Sequence, residues 1–285
     1  MENENSSNSL LTIGLPVYNG ESTIKKILDS ILHQKYKNFI LVISDNASTD
    51  MTQEICETYA KNDTRICYIR QEKNIGLLNN WNFLLENAKT KYFMWIEADD
   101  YYDEFFIVDN IEVLENNNNF VGSISNSVYY DGPDKSPQSI SVTGTYEDKA
   151  LKYLKFNRGT AIFAIYRTNP FQKSMIFGEY GAWDLRIMLK ILKYGDLNVV
   201  KKTQHFKSAR GISSKSFIKY MRKNGISFSK ILFPYVPATS FCIREFGIGF
   251  FLKNFILFFR LNGNGTFFMT KDLFKFCKDY LVGKA

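Results

Sequence analysis

At 285 residues and 33.1 kDa the chain exceeds an ordinary single domain, and its length admits one large α/β domain with an appendage. Hydrophobic residues at 45 % and charged residues at 23 % exclude wholesale disorder and a collagen-like chain. The net charge of +7 is unevenly placed: residues 201–285 carry 16 Lys+Arg against 3 Asp+Glu, and residues 1–200 carry 20 against 26, which argues against a protein that coats DNA along its whole length.

In chain order, apolar runs alternate with segments of helical period. Leu10–Val17 reads as a strand, Ser22–His33 as a helix, Phe39–Ser44 as a strand, Thr52–Lys61 as a helix and Arg65–Ile69 as a strand. Leu77–Ala88 follows as a helix and Tyr92–Ile96 as a strand, and a helix running to Glu115 stops at the low-complexity Asn116–Asn119. Phe120–Tyr130 and Ile140–Tyr146 read as strands around a turn-rich DGPDKSPQS segment. Glu147–Phe156 then reads as a helix, Ala161–Tyr166 as a strand, Trp183–Leu192 as a helix and Leu197–Val200 as a strand. Such alternation predicts a mainly parallel sheet flanked by helices, with ligands bound at the carboxyl ends of its strands. Residues 1–9 form an Asn/Ser-rich tail, and from residue 216 the chain becomes basic, aromatic and interrupted by Gly and Pro.

Four cysteines without a CxxC pair, and His33 and His205 as the only histidines, argue against structural zinc and a disulfide framework. The opening MENENSSNSL lacks the order of a secretion signal, so the expected location is cytoplasmic. Phe246–Leu261, the most apolar stretch, is broken by Lys253, Asn254 and Arg260 and falls short of a membrane span.

Three predicted strands end in polar segments. The first ends in Pro16-Val17-Tyr18-Asn19-Gly20, the second in Asp45-Asn46-Ala47-Ser48-Thr49-Asp50, and the fourth in Glu97-Ala98-Asp99-Asp100. Asn-Gly alone is a turn, and Ser48 or Asp50 alone is a helix cap. The three carboxylates after YFMWI repel one another unless a cation or donors neutralise them, and oxygen ligands without His or Cys favour Mg²⁺ or Mn²⁺. An exposed acidic turn before a helix N-terminus is the competing reading.

The ordered motifs PVYNG, SDNASTD, NIGLLNNWN and WIEADD resemble the nucleotide-sugar-binding half of family 2 glycosyltransferases over residues 10 to about 200. The resemblance implies the GT-A (Rossmann-like) fold over 10–215, with 216–285 as a helical basic and aromatic extension. By position it assigns Pro16, Tyr18, Asn19 and Glu21 to the loop under the donor nucleotide, Asp45 to the base, and Asn74 and Gly76 to the turn beside it. Asp50 is expected to hold its own loop together. Asp99 and Asp100 match the metal pair, with Asp100 the direct ligand and Asp99 serving ribose or metal. Glu97 stands where aspartate is commoner.

The resemblance further implies inverting transfer by one in-line displacement from a UDP-, GDP- or dTDP-sugar to a glycan or lipid-linked hydroxyl, in cell-surface polysaccharide or glycoconjugate biosynthesis. The base is Asp184, with Glu179 in reserve; Trp183 departs from the acidic residue usual at its place. In QHFKSARGISS, residues 204–214, His205, Lys207 and Arg210 are candidates to neutralise phosphate oxygens, with surface solvation the alternative for Lys207. A sugar-nucleotide-binding or membrane-scaffold protein of the same fold without turnover is the competing function class, and a nucleotidyltransferase fits PVYNG and SDNASTD poorly. For the tail, with Phe246, Phe250, Phe251, Phe255, Phe258 and Phe259 near helical spacing, two readings stand side by side. One is a helix packed on the body; the other is a peripheral anchor on the inner face of an anionic membrane.

Overall fold

The computed structural model describes residues 10–132, 137–156, 159–177, 182–208 and 232–281. Among these the chain divides into two compact units, one formed by residues 10–177 with 188–208 and the other by 182–187 with 232–281. The expected boundary at 215 falls outside the described residues, and a short segment around residue 184 is grouped with the tail.

The first unit is an eight-stranded sheet flanked by helices. Its strands are β1 (Leu11–Val17), β2 (Phe39–Asp45), β3 (Ile66–Arg70), β4 (Tyr92–Trp95), β5 (Tyr101–Tyr102), β6 (Phe120–Tyr129), β7 (Ile165–Arg167) and β8 (Asp196–Lys207). Spatial order is β3-β2-β1-β4-β7-β6-β8-β5. β1 pairs in parallel with both β2 and β4, whereas β7 and β5 run antiparallel to their neighbours. The helices of this part are α1 (Ile24–Leu32), α2 (Thr52–Asn62), α3 (Leu77–Glu86), α4 (Phe106–Asn116), α5 (Tyr146–Phe156), α6 (Thr168–Lys173) and α7 (Trp183–Ile191). α7 begins in the second unit and ends in the first.

The reason β1 lies centrally is in its sequence. LTIGLPV offers apolar or small groups to both faces, and every residue but Pro16 is buried, as a strand covered by helices on both sides requires. From β1 the chain winds outward to β2 and β3, then returns to place β4 on the other flank of β1. The order reverses between β1 and β4, so a crevice opens there at the carboxyl ends of the strands. Beneath it, Trp95 packs at ring-centroid distances of 5.3 Å from Trp81, 5.5 Å from Phe93 and 4.7 Å from Phe171.

Most expected elements are present, with boundary shifts of one or two residues. Ile140–Tyr146 is a correction: it forms no strand beyond an isolated bridge from Val142 to Leu197. Ala161–Tyr166 is another, being a 3-10 turn at Gly159–Phe163 followed by the short β7. β8 extends well past Val200. Its polar end KKTQHFK buries Thr203, His205 and Lys207, because each finds a polar partner inside. A register shift sets Ser125 opposite Val200 but Asn126 opposite Gln204, so residues 201–203 form a bulge in the ladder.

The second unit contains α8 (Val236–Lys253), kinked at Gly247 with φ 83°, and α9 (Phe255–Leu281). The two pack through Phe258 against Phe250 and Phe251, with centroids 6.0 and 5.4 Å apart. Among the described residues no helix is long and apolar enough to cross a membrane.

Phe171 has no exposed surface and also meets Tyr166 in a tilted ring contact at 4.4 Å. Phe171→Ala is expected to lower unfolding free energy by about 3–5 kcal/mol, read from the urea midpoint at unchanged m-value.

Candidate active site

The β1 and β2 exits are bonded to each other reciprocally. Asn19, at φ 52°, donates its backbone N–H to Ser48 Oγ at 2.9 Å and accepts the Thr49 N–H on Oδ1 at 2.8 Å. The Gly20 N–H donates to Thr52 Oγ1 at 2.8 Å. Asp50 accepts the Glu21 N–H at 3.1 Å, while Glu21 Oε2 accepts the Met51 N–H at 3.0 Å. Pro16 lies within β1 opposite Ser44, and Tyr18 is exposed at the rim. Asp50 therefore holds its loop as expected, and Glu21 shares that task.

Asp45 is fully buried. Its carboxylate accepts the Ser48 N–H at 2.8 Å, the Tyr68 hydroxyl at 2.7 Å and the Arg70 guanidinium at 2.7 Å, and Arg70 also donates to the Ser48 carbonyl at 2.8 Å. These bonds make Asp45 an internal anchor of the β2 exit. Burial followed by the bond to Asp45 pushes the Tyr68 phenol well up, so Tyr68 stays a donor. Tyr68 and Arg70 escape a search for strand-end motifs because they lie on β3 itself; their i, i+2 spacing, which puts both on one face of a strand, is the signal that finds them.

The NxG turn joins the same rim. Asn74 Oδ1 accepts from the Gly76 N–H at 2.9 Å and from Asn46 Nδ2 at 3.1 Å, and Asn46 Oδ1 accepts the Ile75 N–H at 2.8 Å. Gly76, at φ 87° and ψ 162°, starts α3 in a conformation that a side chain would strain. Asn46, on which this turn hangs, was not among the expected site residues.

At the β4 exit, Glu97, Asp99 and Asp100 bring oxygens within 4.8 Å of one another. Asp100 is 1 % exposed and accepts from His205 Nε2 at 2.8 Å, Lys207 Nζ at 3.2 Å and the Ser208 N–H at 3.0 Å. Burial opposes its ionisation, but Lys207, His205 and that N–H outweigh it and hold Asp100 down at about 2. Lys207 Nζ reaches Glu97 Oε2 at 2.7 Å and lies 3.9 Å from the Phe163 ring centroid. Burial alone would lower the Lys207 pKa, yet the two carboxylates raise it, so its charge is fixed. His205 stacks on Tyr102 at 4.5 Å, and burial keeps it on the neutral side. An ionised Asp100 then requires the proton on Nε2, leaving Nδ1 to accept from Ser127 Oγ at 3.1 Å.

His205 and Lys207 are both buried and bonded to carboxylates, which corrects the surface-solvation reading of Lys207. Asp100 is likewise enclosed by protein donors. Asp99 remains half-buried, with its carboxyl held above the usual range first by burial and then by the charge of Asp100; Glu97 is also raised, chiefly by burial. The oxygen-only set of Glu97, Asp99 and Asp100 fits a hard divalent cation bound through one or two carboxylates.

Asp184 sits in the first turn of α7, where burial raises its carboxyl pKa against the pull of the Leu185 and its own N–H groups. Arg210, Glu179 and residues 209–214 of the expected phosphate loop lie outside the described residues.

The strand order, with three polar turns and an oxygen cluster at the carboxyl ends of its strands, defines a GT-A fold. Residues 12–175 match the family described as Glycosyl transferase family 2, and the chain belongs to that family. It is similar to glycosyltransferase GlyA of Streptococcus pneumoniae, 39 % identical over 97 residues that cover 34 % of this chain and 14 % of GlyA. It is also similar to the Escherichia coli UDP-Glc:alpha-D-GlcNAc-diphosphoundecaprenol beta-1,3-glucosyltransferase WfaP, 28 % identical over 76 % of this chain and 85 % of WfaP. The chain spans less than half the length of several curated relatives. Among solved structures, mannosyltransferase PcManGT from Pyrobaculum calidifontis in complex with GDP-Man and Mn²⁺ has a TM-score of 0.61 at 16 % identity, covering 93 % of this chain and 74 % of that one. S. aureus TarS 1–349 in complex with UDP has a TM-score of 0.60 at 19 % identity, covering 74 % and 63 %. At those identities the likeness is one of fold.

Removing the anchor and removing the open carboxylate should differ. Asp100→Ala leaves His205 Nε2 without its acceptor and Lys207 with Glu97 alone, and is expected to cost about 3 kcal/mol of stability. Asp99→Asn should stay within about 1 kcal/mol of the parent, both measured by urea unfolding.

Proposed function

We propose that the chain transfers a sugar from a nucleoside-diphosphate donor to a hydroxyl of a glycan or lipid-linked acceptor, with inversion, in the building of a cell-surface glycan. The observation that carries this reading is the family 2 match over residues 12–175 coinciding with the rim built at the β1, β2 and β4 exits. The nucleotide would lie across the PVYNG and NxG turns, whose backbone is already ordered by hydrogen bonds and needs no further fixing on binding. A divalent cation held by Asp99 and Glu97 would neutralise the departing diphosphate.

The chain's own base in this reading is Asp184. A carboxylate whose pKa is raised by burial is a stronger base at neutral pH than an ordinary aspartate, which suits abstraction of the acceptor's proton as the bond to the anomeric carbon forms. Asp45, Asp50 and Asp100 position the loops that bind the donor and do not themselves exchange protons with it. WfaP is named for an acceptor carried on diphosphoundecaprenol, which supports a lipid-linked acceptor here.

UDP-, GDP- and dTDP-sugars screened with Mn²⁺ should give one donor class that raises the melting temperature; a ligand at 100 times its Kd adds about 2.7 kcal/mol. Asp99→Asn should erase the Mn²⁺-dependent part of that shift. If no donor stabilises the parent, the sugar-nucleotide reading fails. Asp184→Asn should keep the donor-induced shift and lose about 10²- to 10⁴-fold in transfer rate; parent protein that binds donor but never transfers to any supplied acceptor would mark a binding protein instead.

A further inference from the structure

α9 is apolar on two opposite faces. Phe258, Leu261 and Met269 are buried, and Phe258 meets the α8 rings, so this side is satisfied within the hairpin. At 100° per residue, Ile256, Phe259, Phe267 and Phe274 fall within an arc of about 80° on the other side. These four are 66, 68, 71 and 77 % exposed. Ile248 and Leu252 at the end of α8 are exposed as well. Isolated exposed rings are ordinary, but four strongly exposed apolar side chains within one arc of one helix call for a partner.

Charge identifies that partner. Arg260, Lys271 and Lys278 lie about 60–80° from the centre of the stripe, along a single flank, with Lys275 beyond them, and all four are exposed. The region 201–285 as a whole holds 16 basic residues against 3 acidic. A second protein with an apolar groove would not need that excess, and a second copy of the chain would bring like charges together. No described helix is long and apolar enough to cross a bilayer. Rings flanked by lysine and arginine on a helix of this kind match the boundary between acyl chains and anionic headgroups, where the rings lose water and the basic groups meet phosphate.

We infer that α9 lies flat on an anionic lipid bilayer, with Ile256, Phe259, Phe267 and Phe274 inserted at the headgroup boundary and Arg260, Lys271 and Lys278 against the headgroups. The inference stands apart from sugar transfer, since neither donor nor acceptor enters it.

The test uses the full chain with vesicles of phosphatidylcholine containing about 30 % phosphatidylglycerol, and with phosphatidylcholine alone. Flotation should show binding to the anionic vesicles, weakened at least tenfold by omitting the anionic lipid or by raising salt from 0.1 to 0.5 M. Phe259→Ser, Phe267→Ser and Phe274→Ser combined should weaken binding about 100-fold while leaving melting temperature and any donor-induced thermal shift unchanged, because all three rings are exposed. Lys271→Glu with Lys278→Glu should weaken it as well without touching a ring. Absence of binding by the parent, or equal binding by the triple-Phe variant, would overturn the inference. So would light scattering showing that the same variant turns an oligomer into a monomer with vesicle binding intact, which would assign the stripe to a second copy.

Discussion

The site depends on one buried carboxylate. Asp100 leaves β4 at the switch point, and three donors from the far end of β8 close on it: His205, Lys207 and the Ser208 N–H. β4 and β8 are separated by two other strands in the sheet, so this cluster joins the nucleotide side to the opposite half at the level of the crevice. A buried charge in such a place is tolerable only with paired charge and saturated hydrogen bonds. Because Lys207 also holds Glu97, the same cation orders two of the three carboxylates and leaves Asp99 the more open one.

The nucleotide half of the fold was legible in the sequence because its strands are apolar and its turns carry residues with one geometric use each. LTIGLPV, FILVIS and YFMWI announce themselves as buried strands, and Asn-Gly and NxG as turns. The β6–β8 half was harder to read. Ser123, Ser125 and Ser127 alternate along β6 and bond to Asn110, Thr203 and His205, so a strand that looks polar is in fact core. Apolar periodicity marks burial by the hydrophobic effect but not burial by mutual hydrogen bonding, and KKTQHFK was therefore cut off at Val200. The short β7 and β5 contain too few residues to show any period.

At the site, residue types were read more surely than residue roles. The carboxylates were found, yet which of them is enclosed depends on Lys207, more than a hundred positions away in the chain. Asp45 likewise becomes an anchor only because Tyr68 and Arg70 come alongside it through the parallel register that sets Asp45 opposite Arg70. Sequence spacing locates groups on their own strand; it carries no information about which donors a neighbouring strand will present.

The mutual hydrogen bonds between the β1 and β2 exits have an evolutionary corollary. Each of Asn19, Glu21, Ser48 and Asp50 serves a backbone or side chain in the other loop or the helix it starts, so neither loop is free to drift alone. A lineage that altered donor preference through one of these turns would have to change both together, or do so at Tyr18, the rim side chain that can vary without orphaning a neighbour's amide.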